Sequence, residues 1–168
     1  MRSQTRTECD KAVEKYSKII NENLPINKEL LYVGIAGDPI GGEYSLLFKD
    51  KLNVSTFDAD PVWKPQLVGD ITKTEFDDES WGVIVCVQVL EHVKEIWEVP
   101  KEMSRILCKG GYAIVDTPWL YPYHAEPPSF GDYWRVSKDG MRTLFSPYFE
   151  IQDIISTDNL TSCLLKKL

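Results

Sequence analysis

The sequence predicts a doubly wound α/β domain of about seven strands, mostly parallel, with an antiparallel hairpin at the C-terminal end. Strand-like and helix-like apolar segments alternate over most of the chain, which is typical of a parallel sheet covered by helices. Residues 83–87 are apolar on both faces, as a central parallel strand requires. Two strands then follow in succession, joined by the turn-rich segment 156–159. No repeat or linker interrupts the chain, so we predict one domain over residues 1–168.

The first third of the chain predicts one long helix and then three strands with short connections. Apolar residues at three- and four-residue intervals over 8–24 form one helical stripe, which ends at Pro25. Two prolines within 61–65 exclude a long helix after the second strand. The expected strands are 29–35, 53–57 and a very short one at 66–68, with a short helix over 43–49 between the first two.

The remainder predicts four further strands and two helices. A helix with one apolar face carries Pro100 in its first turn, where amide groups need no helical partner, and stops at the Gly pair 110–111. Ser137 is the expected cap of a second helix that ends near residue 145. The apolar face of the helix that contains Pro100 consists of Ile96, Val99, Met103, Ile106 and Leu107. The expected strands are 81–89, 112–116, 149–155 and 162–165.

The composition carries neither a nucleic-acid nor a membrane signature. The net charge is −7, whereas phosphate contacts need clustered Lys and Arg. No apolar run is long enough to span a bilayer, and the opening residues lack the apolar stretch of a signal peptide. We therefore expect a cytoplasmic protein without nucleic-acid or membrane partners, and the sequence leaves the oligomeric state open.

Cysteine and histidine usage predicts no metal site. None of the four cysteines is spaced like a metal-binding pair, and several lie in or near apolar segments, so we expect small buried thiols in a reducing compartment. His92 and His124 are the only imidazoles, which argues against a dedicated zinc site. The cysteines are Cys9, Cys86, Cys108 and Cys163.

Small or acidic residues follow the predicted strands at what should be one edge of the sheet. Glycines after a first strand let a ligand approach the backbone, and an acid after the second can accept hydrogen bonds from a ribose diol. Open parallel sheets bind their ligands at this carboxyl edge. The small residues are Gly34, Ala36 and Gly37, the acids are Asp58 and Asp70, and Gln88, Glu91 and His92 follow the fourth strand.

These blocks resemble the class I S-adenosylmethionine-dependent methyltransferases, in the small-molecule branch with a Leu-Glu-His signature. The specific parts are Leu-Glu-His at 90–92 and Arg-Ile-Leu-Cys-Lys-Gly-Gly at 105–111. The segments 121–124 and 132–135 resemble a subgroup associated with sugar and surface-polysaccharide pathways. The resemblance implies a Rossmann-like sheet, S-adenosylmethionine as cofactor and a small-molecule methyl acceptor. It covers about 30–149, through the stretches 31–37, 57–60, 68–71, 89–93 and 101–111.

The same resemblance implies roles for residues at the methionine end of the cofactor. Gly34, Ala36 and Gly37 would pass beneath the methionine moiety, and Gln88 would border both it and the substrate pocket.

At the nucleoside end, the resemblance implies four further contacts. Asp58 would hold the ribose hydroxyls, with Ala59 against the adenine face. Asp70 would accept from the adenine amino group, and Ile71 would pack nearby.

The first strand and its loop depart from the family pattern. Tyr32 stands where an acid is usual, and Ala36 replaces a glycine. Asp38 and Pro39 occupy a place usually held by small neutral residues near the cofactor carboxylate, which an aspartate would repel unless it points away or pairs with the amino group.

Methyl transfer to oxygen or nitrogen also removes a proton, so a base with a pKa near neutral assists it. His124, in an aromatic loop that should overhang the substrate, is the candidate general base or orienting group, and His92 is the second candidate. Each also fits a structural role, His124 as a loop residue bonded to backbone and His92 as a helix-start residue. We expect Glu91 to cap or anchor the following helix, and Arg135 to pair with Asp132, with contact to an anionic substrate as the alternative. We expect the segment 121–135 to cover the active site, and its aromatic side chains either line the pocket or pack the loop.

Two other functions fit parts of the sequence. A nicotinamide-dependent oxidoreductase would need a full glycine turn for the pyrophosphate, which Ala36, Asp38 and Pro39 disrupt. A catalytically silent methyltransferase-like module that binds a partner protein fits the short chain and the altered first loop. Binding of S-adenosylhomocysteine distinguishes this module from an enzyme.

Overall fold

The structure of the protein is a computed structural model that describes residues 4–35, 42–48 and 50–168. Four helices are seen in these ranges: α1 (Gln4–Glu22), α2 (Gly42–Ser45), α3 (Glu98–Ile106) and α4 (Lys138–Phe145). The seven strands are β1 (Glu29–Val33), β2 (Asn53–Asp58), β3 (Leu67–Val68), β4 (Trp81–Val87), β5 (Leu107–Pro118), β6 (Phe149–Ser156) and β7 (Leu160–Lys167).

All seven strands form one sheet in the order β3-β2-β1-β4-β5-β7-β6. Strands β1 to β5 pair in parallel, and β7 inserts antiparallel between β5 and β6. This confirms the predicted α/β sheet, its antiparallel terminal hairpin and the central place of 83–87. The order reverses between β1 and β4, so their carboxyl ends flank the crevice where such sheets bind ligands.

Strand β4 is buried along its whole length because helices cover both faces of the sheet. Its side chains alternate, so Val83 and Val85 pack in the core beneath α1 and α2. Ile84 and Cys86 pack in the opposite core, beneath α3 and α4. The alternation fixes the strand register, since a shift by one residue would exchange the two sets.

The end of α3 differs from the sequence prediction. The helix stops at Ile106, and β5 begins at once with Leu107, opposite Trp81. Pairing then resumes at Val83 and Tyr112. The Gly pair that was predicted to stop the helix therefore lies within β5, at a register shift between β4 and β5. Gly110 takes a φ of +73° there, which explains the glycine better than a helix end does.

In the described ranges, no long helix follows β2 or β3. A 3-10 turn over Pro61–Trp63 follows β2, as the two prolines predict. The segment after β3 is instead fixed to α3 by Arg105, which donates to the Phe76 carbonyl oxygen at 2.8 Å and to Asp78 Oδ1 at 2.7 Å. Hydrogen bonds to one helix thus replace a packed helix in this crossover.

Glu102 is the acceptor at the centre of this anchor. Its Oε1 accepts from the Thr74 amide at 2.7 Å and from Arg105 Nη2 at 2.7 Å. Burial raises the pKa of Glu102, but the hydrogen bonds from Arg105 and Thr74 outweigh burial and hold that pKa below its ordinary value.

Replacing Glu102 with Gln is expected to lower the free energy of unfolding by about 1 kcal/mol at neutral pH, a charged hydrogen bond discounted for partial exposure. Because the folded pKa is depressed, this contribution is complete above the ordinary glutamate pKa and is lost as pH falls through the folded value. Urea unfolding of both proteins at descending pH should therefore show the difference shrinking. Glu98→Gln is the control, since that side chain is 44% exposed and lies 3.9 Å from Lys101. An equal loss in both variants would contradict the anchor.

None of the four cysteines forms a disulfide; Cys9, Cys86 and Cys163 are buried as expected, whereas Cys108 is only partly buried. None of the helices in the described ranges is long and apolar enough to cross a membrane.

Candidate cofactor and substrate site

A cavity of about 440 Å³ opens at the carboxyl ends of β1, β2 and β4. This volume lies in the range of small-molecule and cofactor pockets. Residues 69–72 close one side of the cavity, and 92–95 with 128–131 close the other. The predicted ligand edge of the sheet is therefore a real concavity.

Gly34 lines the cavity at the end of β1 with a φ of +80°. A Cβ built on Gly34 would lie 2.2 Å from Cγ2 of Val89, so the loop after β4 packs directly on the glycine. Tertiary packing therefore requires Gly34, in addition to any approach by a ligand. Ala36, Gly37, Asp38 and Pro39 lie outside the described residues.

Asp58 ends β2 and lines the cavity. Its Oδ2 accepts from the Ile35 amide at 2.8 Å, and its Oδ1 accepts from the Asp60 amide at 2.9 Å. These two bonds fix the carboxylate between the ends of β1 and β2. Each oxygen retains lone-pair capacity for a further donor.

Ala59, Asp70 and Ile71 also line the cavity. Ile71 is buried, whereas Asp70 is exposed and its Oδ1 accepts from the amide and hydroxyl of Thr72, each at 2.8 Å. A buried apolar side chain beside a fixed carboxylate can receive a purine ring and its amino group. The aromatic side chains of Trp63 and Phe57 also line the cavity. The sequence did not identify these two residues, because nothing in the local pattern places them at the cavity.

Gln88 lines the cavity with a left-handed backbone, at a φ of 55°. Its amide donates to the Asp116 carbonyl oxygen at 2.8 Å, and its side-chain Nε2 donates to Asp116 Oδ1. Buried Asp116, on β5, therefore holds Gln88 at the cavity wall. The sequence placed residue 116 at the end of a strand but gave no sign of this contact.

His92 is the candidate catalytic residue that reaches the cavity. Its Nδ1 lies 2.6 Å from the carbonyl oxygen of Gly131, so Nδ1 carries the proton and Nε2 keeps its lone pair. Burial lowers the pKa of His92. The neutral imidazole is therefore the favoured form at neutral pH.

His124 lies behind His92 and is not among the described residues that line the cavity. The two rings meet edge to face, with centroids 4.9 Å apart. Nδ1 of His124 lies 3.1 Å from Asp132 Oδ2, and its backbone amide donates to the same oxygen at 2.8 Å.

Asp132 organises the loop that carries His124. Arg135 donates to Asp132 through Nη1 at 2.5 Å and Nη2 at 2.8 Å, and it also donates to the Tyr121 and Pro122 carbonyl oxygens. The Arg135 hydrogen bonds hold the pKa of Asp132 at about 2. The ion pair that the sequence allowed is thus formed, and it fixes both ends of the segment 121–135.

Only part of the segment 121–135 reaches the cavity. Residues 128–131 and Tyr133 line it, whereas Tyr121, Tyr123 and Trp134 are absent from its described wall. The side chain of Ser129 hydrogen-bonds to Asp60, next to Asp58, and this bond is the main cause that lowers the pKa of Asp60. The segment therefore bridges the cavity mouth from α4 to the end of β2.

Glu91 is fully buried directly behind His92. Burial raises the pKa of Glu91 to about 8, helped by the nearby charge of Asp116. Its Oε2 accepts from the Thr117 hydroxyl at 3.2 Å, and its backbone carbonyl oxygen accepts from the Tyr133 amide at 2.7 Å. The sequence expectation that Glu91 anchors the following helix is not what the contacts show, because Glu91 contacts β5 and the covering loop.

The sheet order and the cavity at its switch point define a Rossmann-like fold. Residues 47–115 match the protein family described as "Methyltransferase domain". No curated protein matches this chain.

Solved structures share the fold over nearly the whole chain. A protein from Pyrococcus horikoshii OT3 aligns with a TM-score of 0.70 at 15% identity, covering 99% of this chain and 93% of that chain. A SAM-dependent methyltransferase from Methanosarcina mazei gives 0.67 at 16% identity, covering 89% and 97%. The 1,6-didemethyltoxoflavin-N1-methyltransferase of Burkholderia thailandensis, solved with S-adenosylhomocysteine, gives 0.65 at 12% identity, covering 93% and 78%. These likenesses show the fold.

Proposed function

We propose that this protein is an S-adenosylmethionine-dependent methyltransferase of a small-molecule acceptor. The observation that carries the proposal is that a single cavity collects Gly34, Asp58, Asp70, Ile71 and Gln88. Together with Ala59, which also lines the cavity, they are six of the eight residues to which the family resemblance assigns cofactor contacts. The match of residues 47–115 to a methyltransferase domain supports the same conclusion.

The residues present fit the cofactor. Asp58 offers two carboxylate oxygens, already oriented by backbone amides, to a vicinal diol. Ile71 and Phe57 offer apolar surface to the adenine, and Asp70 offers an acceptor to its amino group. When bound, S-adenosylmethionine supplies a methyl group whose bond to sulfur breaks as its bond to the acceptor forms, leaving S-adenosylhomocysteine. Alignment of donor and acceptor by the cavity is worth up to roughly 7–11 kcal/mol.

The acceptor must also lose a proton. His92 lines the cavity, and its Nε2 keeps a lone pair because Nδ1 is bonded to Gly131. The ring of His124 packs edge to face against the ring of His92. The net charge of −7 argues against RNA or DNA as the acceptor. We infer a small hydroxyl- or amine-bearing acceptor, with sugars as the first class to test, and a cytoplasmic location.

Calorimetric titration with S-adenosylhomocysteine tests the proposal directly. We expect saturable binding at one molecule per chain. Release of S-adenosylhomocysteine from S-adenosylmethionine, in the presence of a panel of sugars, phenols and amines, then identifies the acceptor class. Absence of binding would overturn the enzyme proposal and favour the silent binding module, which the four-residue α2 and the lack of packed helices after β2 and β3 in the described ranges also fit.

In the same assay, His124→Asn is expected to lower turnover at neutral pH at least tenfold with unchanged cofactor affinity. The variant removes an imidazole that either acts as the base itself or positions His92 as the base. Turnover equal to the wild type from pH 6 to 9 would leave His124 with a structural role only.

A further inference from the structure

We propose that Glu91, His92 and His124 bind a divalent transition metal at the wall of the cavity. One ligand atom from each side chain lies within 4.8 Å of the other two. His92 and His124 are far apart in the chain, so no short ligand spacing in the sequence predicts the cluster. The fold forms it by folding the segment 121–135 back over the start of the β4 to α3 connection.

A second observation points to the same place. Oε1 of Glu91 has no hydrogen-bond partner among the described residues, although the side chain is fully buried. Its contact with His92 Nε2 is at 3.7 Å, which is too long for a hydrogen bond. Buried carboxylate oxygens in proteins are paired, hydrogen-bonded or bound to a metal. A cation between Glu91 and His92 would satisfy this oxygen.

The surroundings of the two imidazoles are those of metal-binding histidines. Metal-bound histidines donate their other ring N–H to a carboxylate or a backbone carbonyl, which fixes the tautomer and the ring orientation. Nδ1 of His92 lies 2.6 Å from the Gly131 carbonyl oxygen, and Nδ1 of His124 lies 3.1 Å from Asp132 Oδ2. Both Nδ1 atoms are thereby engaged, and Nε2 of each ring is the nitrogen that remains for a metal.

The nearby guanidinium of Arg135 is committed elsewhere. Both terminal nitrogens of Arg135 bind Asp132, and they bind no oxygen of Glu91 in the described contacts. Arg135 thus fixes the second layer around His124, in the way that outer carboxylates are fixed in metal sites. Because Arg135 does not bind Glu91, Oε1 of Glu91 remains available to the metal.

The donor set indicates the class of metal. Two imidazoles and one carboxylate suit Zn²⁺ or another first-row transition ion, whereas Mg²⁺ and Ca²⁺ prefer oxygen ligands. Zinc bonds of about 2.0–2.1 Å place tetrahedral ligands roughly 3.4 Å apart. The ligand atoms lie up to 4.8 Å apart, so the cluster must close by up to about 1.4 Å on binding. His124 is 30% exposed on a loop, which allows that adjustment.

Three protein ligands leave a coordination position for a ligand oxygen. Because His92 lines the cavity, that position serves a hydroxyl or carboxylate of a bound small molecule. This role rests on the proposed methyl transfer. With a metal bound, Nε2 of His92 is a ligand and no longer the proton acceptor: the imidazoles would hold a cation that acidifies the acceptor hydroxyl, and the hydroxyl proton would pass to solvent. Metal binding itself is independent of that reaction.

Titration of the metal-free protein with Co²⁺, followed by competition with Zn²⁺, tests the site without an activity assay. We expect one equivalent of Co²⁺ with the visible absorption of a tetrahedral nitrogen and oxygen site, displaced by Zn²⁺. Glu91→Gln and His124→Asn should each weaken binding at least tenfold. Glu91→Gln should fold, since it replaces a buried carboxyl with a neutral amide of similar shape, and thermal unfolding confirms this. Glu150→Gln, which removes an exposed carboxylate on edge strand β6, should bind as the wild type does.

Equal Co²⁺ affinity in the wild type and both site variants would overturn the proposal, as would a thiolate charge-transfer band, which places the metal on cysteine. S-adenosylhomocysteine titrations of the same proteins separate the two proposals, because neither Glu91 nor His124 is among the described residues that line the cavity. If the wild type binds S-adenosylhomocysteine but no metal, the metal-site proposal is wrong and the methyltransferase proposal stands. If the wild type binds the metal but no S-adenosylhomocysteine, the methyltransferase proposal is wrong and the metal-site proposal stands.

Discussion

Replacing Asp58 with Ala is expected to weaken S-adenosylhomocysteine binding by about 1.5–3 kcal/mol, or roughly 10- to 150-fold. The variant removes the charged acceptor that we propose for the ribose hydroxyls. It also frees the amides of Ile35 and Asp60, which the carboxylate holds at 2.8 and 2.9 Å, so the ends of β1 and β2 lose a shared fixed point.

Calorimetry on three proteins checks this result. Asp58→Asn keeps one acceptor oxygen and should fall between the wild type and Asp58→Ala. Asp77→Ala removes an exposed acid from the segment before β4, away from the carboxyl edge of the sheet, and should bind as the wild type does. Equal affinity in the wild type and Asp58→Ala would show that Asp58 does not hold the cofactor.

Replacing Gly34 with Ala is expected to lower the free energy of unfolding by about 2–5 kcal/mol. Left-handed backbone costs a residue with a Cβ about 1–2 kcal/mol, and overpacking adds about 1–3 kcal/mol. The overpacking arises because the new methyl group would lie 2.2 Å from Val89 Cγ2.

Two further variants separate these causes by urea unfolding. Gly110 has a similar φ of +73°, and a methyl group added there would meet no atom within 4 Å, so Gly110→Ala should show the backbone cost alone. Combining Gly34→Ala with Val89→Ala should recover the overpacking cost relative to Val89→Ala. A Gly34→Ala loss no larger than that of Gly110→Ala would contradict the close packing of Val89.

The sequence by itself determined the sheet and the acidic residues at its carboxyl edge. Residues 83–87 predicted a central strand because only a strand buried on both faces is apolar throughout, and two successive strands predicted the antiparallel hairpin. Asp58 and Asp70 could be placed at the cavity because parallel strands bring their carboxyl ends to one edge. These features depend on periodicity and on chain order, which a sequence displays directly.

Tertiary structure alone decided the contacts between distant segments. The sequence could not show that residues 128–131, rather than His124, reach the cavity, since loop paths follow from hydrogen bonds such as those of Asp132 with Arg135. Gly34 looked like a ligand contact, and only the fold reveals Val89 against it. Glu91 looked like a helix anchor, but its burial beside His92 and His124 depends on three segments meeting. Such meetings are set by packing in three dimensions, and no local pattern of residue types encodes them.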